Sequence, residues 1–158
     1  MAELKLYEEM PSPIRLRGHT LLCLLGFERK GYSPSFIDNM NAVHRTLLTR
    51  PETMVEVVEF PDAVCGACPH LALQGCTLNG DRSEEEMVLQ DRDVLARLGL
   101  EAGARLRWQE ILDRIRSAVR GGDLPTICGT CRWLSLGVCS RGIEQLRASA
   151  ASTSVDVR

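Results

Sequence analysis

Six of the seven cysteines in this 158-residue chain fall in two stretches of one pattern. Residues 65–76 read Cys-Gly-Ala-Cys-Pro-His-Leu-Ala-Leu-Gln-Gly-Cys, and residues 128–139 read Cys-Gly-Thr-Cys-Arg-Trp-Leu-Ser-Leu-Gly-Val-Cys. Both are C-x2-C-x7-C. Gly66 or Gly129 follows the first cysteine, and leucines hold matching inner positions (Leu71 and Leu73, Leu134 and Leu136). A C-x2-C turn lets two thiolates converge on one centre, and glycine supplies positive φ without strain where the turn needs it. Metal charge and amide hydrogen bonds both favour the thiolate. The third cysteine makes each copy a three-thiolate half-site. Cys65, Cys68, Cys76, Cys128, Cys131 and Cys139 are therefore candidate metal ligands. Cys23 is a seventh candidate. His19 stands four residues before it, so a helix would show both on one face, and His19 is an eighth candidate for holding a cofactor.

Iron–sulfur and zinc compete for such ligands. A zinc site built from Cys65, Cys68, Cys128 and Cys131 would complete a tetrahedron but leave Cys76 and Cys139 unused. Iron–sulfur clusters take cysteine thiolates, and a distant residue can complete a local set. The spacing favours one or two [4Fe-4S]-type clusters, with zinc as the alternative. Seven cysteines and His19 would serve two clusters. A single cluster would use four thiolates, and a cluster with one open iron is a third arrangement.

A formal net charge of −2, a sequence pI near 5.9 and the absence of a strongly basic run argue against a nucleic-acid partner. The apolar run from Leu21 to Leu25 is far too short to span a membrane, and no targeting segment is visible. The expected location is cytoplasmic. Seven thiols there favour metal binding or catalysis over a disulfide framework, and their odd number disfavours complete pairing.

The elements that must carry these residues follow from periodicity. Residues 1–12 read as a flexible N-terminus, 13–148 as a single metal-binding domain and 149–158 as a disordered tail. Ile14 to Arg17 and Thr53 to Phe60 read as short strands that can pair. Ser33-Pro34 opens a helix that ends near Arg50-Pro51. Ser83 with Glu86 reads as a capping box for a helix to about Leu98, closed by Gly99. Trp108 to Val119 is a third amphipathic helix, stopped at Gly121-Gly122, with its arginines on a solvated face. A short helix is expected at 143–146. Asp91 falls on a buried face and needs a partner, for which Arg15 and Arg17 are the candidates. His44 reads as a packed histidine and His70 as a surface or supporting group. Trp133 and the four loop leucines would shield a cluster, and Arg132 would offset its charge. The fold class is α+β, mostly helical: a compact single domain with two short strands and two Cys loops facing each other across a shared site.

Residues Leu16-Arg17-Gly18-His19-Thr20-Leu21-Leu22-Cys23-Leu24-Leu25-Gly26-Phe27, then Lys30-Gly31-Tyr32-Ser33, resemble the opening of a prokaryotic family, domain of unknown function 1284. Asp62-Ala63-Val64-Cys65 with Cys68 and Cys76, Asp91 to Leu100, and Ile127-Cys128-Gly129 with Cys131, Trp133, Gly137 and Cys139 extend the likeness over residues 13–142. The chain departs from it at Gly18-His19-Thr20, where Pro-His-His is expected, so Thr20 offers no second histidine. The resemblance implies an iron–sulfur protein and no particular reaction. The leading expectation is redox or electron transfer with a partner oxidoreductase. One alternative is an enzyme that uses an open iron as Lewis acid or sulfur carrier, with His19, His70 and Asp91 as its acid–base candidates. The other is a structural zinc module for protein interaction.

Overall fold

A computed structural model describes residues 12–28, 31–128 and 136–156. Strand β1 (Ile14–Arg17) runs straight into helix α1 (Gly18–Cys23), which tightens into a 3-10 turn over Leu24–Gly26. Helix α2 (Pro34–Thr49) follows. The Ser33 hydroxyl accepts a hydrogen bond from the Phe36 N–H at 3.1 Å, and Pro34 occupies the first turn, as the sequence implied. Strand β2 (Met54–Val58) then pairs in parallel with β1, Ile14 opposite Val55 and Arg17 opposite Val58. A parallel pair needs a long crossover. Residues 18–53 supply it, so the two strands end at the same edge. The chain leaving β1 carries His19 and Cys23, and the chain leaving β2 carries Cys65. Parallel pairing therefore brings both to one side of the molecule.

Beyond β2 a 3-10 turn (Cys65–Ala67) leads to a small hairpin, β3 (Leu71–Ala72) and β4 (Gly75–Cys76). Helix α3 (Ser83–Arg97) closes at Gly99, which adopts a φ of 69°. Strand β5 (Arg105–Arg107) pairs antiparallel with β2, making a sheet in the order β1-β2-β5. Helix α4 (Trp108–Ala118), a 3-10 turn (Gly121–Asp123) and the short α5 (Leu124–Ile127) lead to the second cysteine loop. Helix α6 (Val138–Asp156) follows it.

The domain is mostly helical, with small sheets, as expected of its α+β pattern. Three further strands join the two read from periodicity. β3 and β4 have two residues each and β5 three, too few for alternation to register. Helix α6 also exceeds the short helix expected at 143–146 and runs into the stretch read as a tail. That stretch holds two alanines, which are strong helix formers, among weaker ones such as serine, threonine and valine.

The core is aliphatic. Leu16, Leu21, Val55, Val57, Val94, Ile111, Ile115 and Ile143 are fully buried between the sheet and the helices. The outer side of the sheet carries an ion ladder. Glu56 of β2 accepts from Arg15 of β1 at 3.1 Å and from Arg105 of β5 at 2.9 Å. Arg105 is thus an intrasheet partner. No helix among the described residues is long and apolar enough to cross a membrane.

Candidate metal centre

The six described cysteines come from five places in the chain. Cys23 ends α1, and Cys65 and Cys68 bracket a 3-10 turn. Cys76 is on β4, Cys128 follows α5, and Cys139 is in the first turn of α6. All six line one cavity of about 140 Å³, and His19 lines it too. Cys131, together with Gly129, Arg132, Trp133 and Leu134, lies outside the described residues. No disulfide joins the six. Among the described residues no three Cys, His, Asp or Glu side chains are close enough to hold one metal ion. The cavity has room for roughly ten water-sized spheres, at about 10–15 Å³ each.

A buried ion network fixes the first loop. Arg17, at the end of β1, is 1% exposed, and Asp91 on α3 is fully buried. The Arg17 Nε donates to Asp91 Oδ2 at 2.8 Å, and its Nη2 donates to Glu84 Oε2 at 2.7 Å. Burial works against the guanidinium charge. The hydrogen bonds and fields of Glu84 and Asp91 outweigh it and hold the pKa above the ordinary value. Of the two arginines proposed for Asp91, Arg17 is the partner. Arg15 turns to Glu56 instead.

Each carboxylate around Arg17 also holds a part of the cavity wall. Glu84 Oε1 accepts the Cys76 amide at 2.9 Å. Asp62 Oδ2 accepts the Arg17 amide at 2.8 Å, while its Oδ1 accepts the amides of Val64 at 3.0 Å and Cys65 at 3.1 Å. Asp91 Oδ1 accepts the His19 amide at 3.0 Å and pairs with His19 Nδ1 at 2.7 Å. The Ser83 hydroxyl donates to Cys76 Sγ at 3.3 Å. The capping box read at Ser83 is therefore not formed. Ser83 is fully buried at the base of the hairpin, Arg82 takes the cap position, and no side chain caps the helix.

The second half is placed by close backbone approach. A side chain at Gly26 would bring its Cβ within 2.5 Å of the Cys139 Cα and backbone N. Gly142 meets the Leu25 carbonyl in the same way. Bare glycine backbone on both sides lets α6 cross the 3-10 turn after α1, which sets Cys139 beside the Cys23 segment. Gly18 likewise rests on the Asp91 backbone, which brings α1 to α3.

The surroundings of Cys65 and Cys68 disfavour the thiolate form. Burial pushes the Cys65 thiol up to about 12, with the Asp62 charge adding to it. Burial also raises Cys68. Such thiols ionise readily only when a cation offsets the cost.

Several expectations change. Gly66 does not take positive φ, and a Cβ there would meet nothing, because a right-handed 3-10 turn suffices between Cys65 and Cys68. Among the described loop glycines, those with positive φ sit at the far ends of the loops, at Gly75 and Gly137. The described loop leucines do not shield the cavity. Leu71, Leu73 and Leu136 are exposed, and Leu73 lies in the uncovered two-residue turn between β3 and β4. Phe27, Tyr32, Phe36, Met40, Val64 and Met87 form the apolar wall instead. His44 is half-buried against the Phe27 ring, and burial lowers its pKa. His70 stacks edge-on against Tyr32 and does not line the cavity.

Sequence reasoning missed Asp62, Ser83 and Glu84 as supports of the site. Asp62 was detectable, because an Asp two and three residues before the amides it holds is a known turn device. Ser83 and Glu84 carried a signal that reads equally well as a helix start.

Residues 31–137 match the family described as Protein of unknown function (DUF1284), and the chain belongs to it. Cys65, Cys68, Cys76, Cys128 and Cys131 fall inside the matched stretch; His19, Cys23 and Cys139 fall outside it. No curated protein and no solved structure matches the chain.

Proposed function

We propose that the chain is an iron–sulfur protein that transfers electrons, with one or two four-iron clusters held by thiolates of both cysteine loops. The observation that carries this reading is the convergence of six cysteines, from five parts of the chain, on one cavity. Thiols that ring a space of about 140 Å³ suit a body of several metal atoms better than a single ion. Cys65, Cys68, Cys76, Cys128, Cys131 and Cys139 would hold it, with Cys23 from α1. A bound cluster would supply one-electron transfer.

The chain's own residues do the rest. Phe27, Phe36, Met40 and Val64 keep water from the thiols. Asp62 and Glu84 fix the Cys65 and Cys76 amides, so both sulfurs are positioned before loading. Thiols held neutral by burial give up protons as the metal enters, so loading strengthens as pH rises.

The test is protein purified without oxygen, assayed for iron, acid-labile sulfide and zinc and examined by visible absorption. Brown protein with iron and sulfide in equal amounts is expected. Cys65→Ser and Cys128→Ser should each lower iron content, because both loops serve the same cavity. Colourless protein containing zinc would overturn the reading.

A further inference from the structure

We infer that His19 is a nitrogen ligand of the metal centre, with Asp91 as the residue that positions it. The inference rests on the iron–sulfur reading above and adds an identified non-thiolate ligand to it.

His19 is the only one of the three histidines that lines the thiol cavity. The ring of His44 lies on Phe27 and that of His70 on Tyr32. His19 is clamped rather than loosely placed. Asp91 Oδ1 receives both its backbone N–H, at 3.0 Å, and its Nδ1, at 2.7 Å. The carboxylate cannot swing away, since its Oδ2 is held by the Arg17 Nε at 2.8 Å and the whole side chain is buried.

A carboxylate only accepts, so Nδ1 carries the hydrogen of that bond, and in the neutral imidazole the lone pair is then on Nε2. Among the described residues no hydrogen bond is made to Nε2. Carboxylate, histidine and metal in series is the usual way a protein fixes the tautomer and direction of a ligating imidazole. Cys23, one helical turn on, lines the same cavity, so α1 would present sulfur and nitrogen together.

Charge favours the same assignment. Asp62, Glu84 and Asp91 surround Arg17 at the edge of the cavity. An imidazole adds a ligand there without adding another negative charge. In Rieske centres, where histidines replace cysteines on one iron, the potential is raised.

The test uses the full chain loaded without oxygen, with all histidines labelled with heavy nitrogen. The cluster is reduced and examined by pulsed paramagnetic resonance. A hyperfine coupling to histidine nitrogen is expected. It should persist when His44 and His70, which do not line the cavity, are both changed to Gln. It should vanish in His19→Gln protein that keeps its iron. The His44/His70 double variant assigns the coupling even if His19→Gln fails to load. Full iron and sulfide with no nitrogen coupling overturns the inference and leaves the iron–sulfur reading standing. A coupling that survives in His19→Gln overturns it too. Protein without iron overturns both readings.

Discussion

In the first cysteine loop the third thiol, Cys76, stands on a strand; in the second, Cys139 stands in the first turn of a helix. The first loop hangs from charge. Asp62 and Glu84 hold its amides; the Arg17 guanidinium binds Glu84 and Asp91, and the Arg17 backbone N–H binds Asp62. The second is placed by shape, through glycine backbone at Gly26 and Gly142 and the Gln90 side chain bonded to the Ile127 carbonyl at 3.0 Å. One twelve-residue pattern, repeated, is thus mounted in two physically different ways. The spacing of cysteines is a local property of each loop. It does not specify what holds them.

The difference can be broken from either side. Arg17→Ala should have the largest effect, because it leaves Asp91 buried without its countercharge. Breaking a buried pair in this way costs about 3–5 kcal/mol. Urea unfolding of the variant should show that loss. A change below about 1 kcal/mol would mean that charge does not mount the first loop. Gly26→Ala should cost less, about 1–3 kcal/mol, the range for forcing atoms into a packed interface. Its Cβ meets the Cys139 backbone, which cannot rotate aside as a side chain could. An unchanged unfolding midpoint would remove the shape argument for the second loop.

A pH series sharpens the contrast. The Cys65 thiol is raised from 9.0 to about 12 by burial, with Asp62 next in effect. Its folded pKa lies above its unfolded one, so the stability it contributes is fully present below pH 9.0 and is lost as pH rises toward about 12. Protein prepared without metal should therefore lose stability across that window, and Cys65→Ala protein should lose less. Equal slopes would remove Cys65 as the cause. The smallest effect belongs to Gly66→Ala, expected within about 0.5 kcal/mol of neutral. Gly66 has neither positive φ nor a neighbour in the way of a Cβ, although its place in the motif suggests importance.

Much of the fold was legible in the sequence. The cap at Ser33, the left-handed Gly99, the pairing of the Ile14 strand with β2 and the burial of Asp91 all rest on local rules of period, cap and turn. The misses were of two kinds. Strands of two or three residues, such as β3 and β5, are too short for a period to show. Ser83 obeyed a local rule that tertiary contact overrode, because a cysteine reached it before the helix end could use it.

The sequence alone determined the inventory: seven thiols in a fixed pattern, one histidine one turn from Cys23, and an acid on a buried helix face. These depend on spacing within a few residues, and the chain carries that information locally. The tertiary structure alone decided the assembly. Parallel pairing of β1 and β2 put Cys23 and Cys65 at one edge. Arg17 rather than Arg15 met Asp91, and glycine contacts carried Cys139 across to the same cavity. These relations join residues far apart in the chain. They are set by which surfaces can approach and which charges must be paired once buried, and no local pattern records either.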